Sequence, residues 1–137
     1  MQIGQKLRGG EVIELVSDLG GGKTTFVRGL ARGMGSKDHV ASPTFTISRL
    51  YRADALSLHH YDFYRLHEAG EITQELADTF VDKQNVTVIE WSNLVEHVLP
   101  NERLTVIIKN LGDDVRELIF KYPEGLEYLI NELEAIK

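Results

Sequence analysis

Cysteine is absent from the 137 residues, which excludes disulfides and thiol-ligated zinc and suits a protein of the cytosol. Long apolar runs are absent too. No stretch approaches the ~18 residues of a membrane span, and the opening MQIGQKLRGG lacks the apolar centre of a secretory signal. A cytoplasmic protein with no membrane segment is therefore expected. Positive charge is scarce: 15 Lys and Arg stand against 21 Asp and Glu, a net charge of −6, with no basic cluster. Such a chain is a poor stand-alone nucleic-acid binder, and any role on RNA needs a partner. Repeats, linkers and low-complexity tracts are missing. So is N-K-x-D, the usual guanine-reading signature of Ras-like GTPases. The length fits one domain over 1–137, large enough to bury roughly two thirds of its unfolded surface.

What is present is glycine in one telling place. The segment SDLGGGKTT, residues 17–25, supplies Gly22, Lys23 and Thr24 of the phosphate-loop pattern G-x-x-x-x-G-K-[ST], but puts Ser17 where the first glycine belongs. With average residue frequencies, G-x-G-K-[ST] arises by accident in about one chain in two hundred of this length. The flanks narrow this further. Upstream, EVIELV (11–16) reads as a buried strand. Downstream, Phe26, Val27, Leu30, Ala31 and Met34 recur at helical spacing, with Arg28 and Arg32 on the opposite face.

Strand, glycine loop and helix in that order form an anion cradle, because loop N–H groups and the helix dipole both favour negative charge. The nucleotide-binding segment is thus read as Asp18, Leu19, Gly20, Gly21, Gly22, Lys23, Thr24 and Thr25. Lys23 would reach the β and γ phosphates and the Thr24 hydroxyl would hold Mg²⁺. The alternative is a tight strand-to-helix turn carrying a solvated lysine. Ser17 predicts altered affinity without loss of the site.

Further along, SPTFTISRLY (42–51) and LSLHHYDF (56–63) are strand-like and joined by the turn RADA. A helix carrying Ile72, Leu76 and Phe80 follows, and VTVIEW (86–91) is a second buried strand. RLTVIIK and VRELIFKY form an antiparallel pair turned by NLGDD, and the chain closes on a helix with Leu126, Leu129, Ile130 and Leu133. The expected fold is α/β, a three-layer P-loop NTPase-like domain with a mixed sheet.

A nucleoside-triphosphate hydrolase also needs a carboxylate at a buried strand end, to act on the metal or the attacking water. Glu90 and Asp62 qualify, although either alone could be a cap or a salt-bridge partner. Glu90 ends a run that could lie beside EVIELV, near Thr24, and is the expected metal carboxylate. His59 and His60 alternate across a strand and so cannot share a metal. No arginine is placed by the sequence as a finger over the phosphates.

Taken together, DLGGGKTT, SPTFT, HYDFYRL (60–66, fitting H-x-D-x-Y-R-L) and EW at 90 and 91 resemble the TsaE family, also called YjeE, over nearly the whole chain. That family usually reads G-D-L-G-x-G-K-T, from which Ser17 departs. The resemblance implies an ATPase that binds ATP with Mg²⁺ and acts with TsaB and TsaD, which carry threonylcarbamoyl onto the adenosine next to the anticodon of tRNAs reading codons that begin with adenine. tRNA would be met only through that complex. The resemblance further implies that Lys23 and Thr24 serve phosphate and metal, that Thr44 and Thr46 belong to a nucleotide-sensing switch, that Asp62 and Glu90 are the carboxylates, and that Trp91 lies next to the nucleotide. Without it, SPTFT reads as an edge strand and Trp91 as a packing residue. Two other readings stand beside it: a small-molecule kinase using Asp62 as base and Arg65 as clamp, and a scaffold that binds nucleotide only structurally.

Overall fold

The structure is a computed structural model that describes residues 2–17, 22–40, 48–64, 70, 72–113, 115–131 and 133. Asp18, Leu19, Gly20 and Gly21 of the loop, the SPTFT segment with Thr44 and Thr46, and Arg65 lie outside the described residues.

Valine, isoleucine and leucine build the parallel centre of the sheet. Strand β1 (Val12–Val16) pairs parallel with β4 (Asn85–Glu90) on one side and with β5 (Leu104–Gly112) on the other. Strand β3 (Ser57–Asp62) adds parallel to β4, while β2 (Ser48–Arg52) and β6 (Val115–Lys121) close the edges antiparallel. The order is β2-β3-β4-β1-β5-β6. The chain builds β3 and β4 on one side of β1 and then crosses to β5 on the other. That change of direction opens a crevice at the carboxyl end of β1, the usual ligand position in such sheets. Edge strand β6 carries Arg116, Glu117 and Lys121, exposed charges that discourage pairing with another chain.

Alternation along each strand divides the side chains between two cores. Ile13, Leu15, Leu58, Val86, Val88, Leu104 and Val106 meet the buried stripe Val27, Leu30 and Ala31 of helix α2 (Lys23–Gly33). Helix α1 (Gln2–Lys6) packs on α2 at Gly4, where an added Cβ would fall 2.4 Å from the Leu30 carbonyl oxygen. A 3₁₀ turn, Glu124–Leu126, runs into α4 (Glu127–Ile130) on the same face, with Leu126 and Leu129 buried. Tyr128 fastens this end to the start of the chain: its hydroxyl donates to Glu11 and its ring lies under the Arg8 guanidinium, 3.9 Å from the centroid.

On the opposite face, Val12, Tyr61 and Ile89 pack with Leu76 of α3 (Ile72–Val81), with Val95 of a 3₁₀ helix at Ser92–Val98 and with Leu99 just after it. The result is the expected three-layer arrangement with a mixed sheet. Helix α1 and the 3₁₀ helix are additions to the sequence-based expectation. The last helix is shorter than expected: it ends at Ile130, and Leu133 packs against the core from beyond it. The proposed turn NLGDD is also trimmed, since β5 continues to Gly112. Among the described residues no helix is long and apolar enough to cross a membrane.

Candidate nucleotide-binding site

Gly22 stands at the start of α2 with φ +98° and ψ 15°, a left-handed conformation that favours glycine over any residue with a Cβ. Its carbonyl accepts the first helical bond, from Phe26 N at 3.0 Å. The next residue is Lys23. The helix therefore opens on the lysine, with Thr24 half-buried and Thr25 exposed in the first turn. Free N–H groups and the positive end of the dipole gather at this point.

Lys23 is buried, at 7% exposure, and a buried ammonium must be partnered. Its Nζ lies 3.8 Å from Glu90 Oε1, donates to the Ser17 carbonyl at 3.4 Å, and sits 5.5 Å from the centroid of the Trp91 ring. Strand register explains the meeting. Leu15 in β1 is level with Glu90 in β4, and Glu90 is level with Asp62 in β3. The two carboxylates end adjacent strands and are both buried. Asp62 Oδ1 accepts a hydrogen bond from Tyr64 N at 3.0 Å. His60, with no exposed surface, contacts Glu90 Oε2 through Nε2.

Trp91 turns the chain sharply after Glu90. It adopts φ 58° and ψ 57°, a left-handed conformation costing a non-glycine residue about 1–2 kcal/mol. Its ring packs at 4.9 Å on Tyr64 as well as facing Lys23. The next residue fixes that turn. Ser92 donates its hydroxyl to Glu14 Oε2, and Glu14 Oε1 accepts from Thr105 at 3.0 Å and from Arg103 Nε at 3.2 Å. Burial pushes the Glu14 carboxyl up, but the bonds from Ser92, Thr105 and Arg103 and the nearby guanidinium outweigh it and leave the group below its usual 4.5.

A depressed carboxylate pKa contributes stability that is present above the unfolded value and lost as pH falls through the folded one. Glu14→Gln is accordingly expected to lower unfolding free energy by about 1–3 kcal/mol at neutral pH. The gap to wild type should narrow as pH falls below 4.5. Urea unfolding of both proteins across that range measures it, and a gap independent of pH would remove the charged form of Glu14 from the argument.

A cavity of about 840 Å³ opens here, lined among others by Ser17, Lys23, Trp91, Ser92, Lys109 and Asn110, a volume suited to a small ligand. Arg116 on β6 reaches the same neighbourhood. Its Nη1 donates to Asn110 Oδ1 at 2.9 Å, and its Nε lies 3.8 Å from a Cβ built on Gly22. The sequence did not single this arginine out. The pairing of Asn110 with Arg116 across the β5–β6 hairpin is what brings it to the loop.

Of the residues expected at the site, the structure gathers Lys23, Glu90 and Trp91, sets Asp62 in register with Glu90, and places Gly22, Thr24 and Thr25 at the helix start. His59 goes to the other face, where it contacts Asn85 Oδ1 at 3.0 Å and stacks on Tyr61. Among the described residues no three His, Cys, Asp or Glu side chains form a metal cluster. The helix start offers a hydroxyl, on Thr24, and the neighbouring strand end a carboxylate, on Glu90. These hard oxygens suit Mg²⁺, which keeps several waters and uses one or two carboxylates plus substrate phosphates.

A central parallel strand, a glycine loop, a helix opening on lysine and a carboxylate ending the neighbouring strand define a P-loop fold. Comparison with known proteins narrows the class. The family model described as threonylcarbamoyl adenosine biosynthesis protein TsaE matches residues 1–118. A Bacillus subtilis protein named tRNA threonylcarbamoyladenosine biosynthesis protein TsaE is 46% identical over 112 residues, covering 81% of this chain and 69% of that one. The protein of the same name from Treponema pallidum is 38% identical over 116 residues, covering 85% of each. The crystal structure of Bacillus subtilis YdiB superposes with a TM-score of 0.73 at 36% identity, covering 96% of this chain and 81% of that one. The chain belongs to the TsaE family.

Proposed function

We propose that the protein is a Mg-ATP-binding P-loop ATPase of the cytoplasm that supports threonylcarbamoyladenosine modification of tRNA together with TsaB and TsaD. The observation that carries this reading is the meeting of Lys23 and Glu90 at the start of α2, 3.8 Å apart, in a chain of the TsaE family. Lys23 and the loop N–H groups bind the phosphates. Thr24 and Glu90 would hold Mg²⁺, which would neutralise charge on the phosphates. Trp91 lies beside the nucleotide, and Asp62 orients the attacking water. With a net charge of −6, the chain meets tRNA through its partners.

Turnover by the chain alone should be slow. An arginine free to meet the transferred phosphoryl group is worth roughly a thousandfold to a hundred-thousandfold in such enzymes, and the Arg116 guanidinium is engaged by Asn110 and by the Val115 carbonyl. ATP hydrolysis should rise when TsaB and TsaD are added, as measured by phosphate release with and without them. Fast turnover by the isolated chain, indifferent to both proteins, would count against the reading. Phosphate appearing on an added small-molecule acceptor would replace it with a kinase.

A further inference from the structure

We propose that His60 is a positioning residue for this site, holding the Glu90 carboxylate so that one oxygen stays available beside Lys23. The inference rests on the reading of Glu90 as a metal carboxylate and adds a residue that reading does not use. Strand alternation carries Leu58, His60 and Asp62 to the same face of β3. His60 is level with Val88 on β4, has no exposed surface, and lies in a layer that is otherwise apolar at Leu58, Val86 and Val88. An imidazole in such a place costs free energy that leucine would not, unless its bonds offset it. It has one such bond, from Nε2 to Glu90 Oε2, and Nδ1 has no partner among the described residues.

A carboxylate accepts, so the ring donates from Nε2, and the proton assignment follows from this bond. The two oxygens of Glu90 are thereby held toward different neighbours: Oε2 to His60, and Oε1 toward Lys23 at 3.8 Å. That second distance is long for a charge-assisted hydrogen bond, which falls at about 2.7–2.9 Å. With His60 in place the carboxylate cannot rotate fully onto the ammonium. Without it, Glu90 would close on Lys23, and both groups would spend their charge on each other instead of on metal and phosphate. Partners behind a metal-binding side chain typically change metal affinity by about 10–100-fold.

The identity of the bonded nitrogen gives a discriminating test. The amide nitrogen of glutamine can occupy the place of Nε2, whereas that of asparagine falls near Nδ1, where there is nothing to meet. ATP affinity is to be measured by calorimetry with and without Mg²⁺ for wild type, His60→Gln, His60→Asn and His60→Leu, with a melting temperature for each. His60→Gln should keep the gain in affinity that Mg²⁺ confers. His60→Asn and His60→Leu should lose about 10–100-fold of that gain, with a smaller fall in affinity for metal-free ATP as Lys23 is drawn onto Glu90. The inference is overturned if the asparagine variant keeps the full Mg²⁺ gain, or if a folded glutamine variant loses it. His60→Leu can fail to fold without affecting the answer, because the contrast between the glutamine and asparagine variants decides it. Glu90→Gln separates the two levels. If it keeps the Mg²⁺ gain, the metal role of Glu90 fails. If it loses the gain while His60→Asn does not, only the role of His60 falls.

Discussion

Lys23→Ala is expected to reduce ATP turnover by at least about a hundredfold, the order seen when one preorganised electrostatic donor is removed from an active site, and to weaken Mg-ATP binding while the protein stays folded. The lysine opens α2, so its charge adds to the positive end of the helix dipole where phosphates would lie. Removing one partner of a buried ion pair commonly costs about 3–5 kcal/mol because the other charge is stranded. Here Glu90 keeps its bond to His60, and the cost to stability should fall below that range. Circular dichroism and a melting curve check the fold, and phosphate release checks turnover. A folded Lys23→Ala protein that hydrolyses ATP at the wild-type rate would show that the loop is a turn and nothing more.

The parts of this site that could be read in the sequence are those fixed by local periodicity. EVIELV and VTVIE are short runs rich in Val, Ile and Leu that read as buried strands, and two such runs become parallel neighbours once helices cover both faces. Level pairing of Leu15 with Glu90 then follows from strands that end together. The glycine loop announces its own geometry, because only residues tolerant of positive φ suit the position of Gly22.

The rest depended on contacts between distant residues. Glu14 looks like an ordinary strand carboxylate until Ser92, Arg103 and Thr105, which lie 78, 89 and 91 residues away, converge on it. The bond from His60 to Glu90 spans 30 residues, and strand alternation said only that His59 and His60 part company. Helix α1 has five residues, too few for a 3.6-residue period to show. The 3₁₀ helix at Ser92–Val98 follows a tryptophan in a glycine-like conformation, which no propensity scale predicts at that residue. Arg116 belongs to the same class: an exposed residue of an edge strand whose place beside the loop comes from hairpin pairing.

The two carboxylates should separate under substitution, because β3 lies beyond β4 from the loop-bearing strand β1. Asp62 therefore stands one strand spacing, roughly 4.8 Å, further from β1 than Glu90. Glu90 is the acid that meets Lys23, and through its register with Leu15 it faces the start of the helix carrying Thr24. Its loss should be felt in binding. Glu90→Gln keeps the shape and an acceptor but gives up the charge, and should lose more Mg²⁺-dependent affinity than the about 10–100-fold typical of a residue behind a metal ligand, together with activity. Asp62 accepts a hydrogen bond from Tyr64 N, and Tyr64 in turn packs on Trp91, which ties this acid to the turn beside the cavity. Asp62→Asn should keep Mg-ATP binding and lose about 10²–10⁴ in turnover, the range of a group that positions or deprotonates a nucleophile, along with stimulation by TsaB and TsaD. Calorimetric titration with ATP in the presence and absence of Mg²⁺, run beside turnover assays, reads both effects on the same protein samples. The reverse pattern, with binding lost in Asp62→Asn and kept in Glu90→Gln, would exchange the two roles, and two fully active variants would remove both acids from the site.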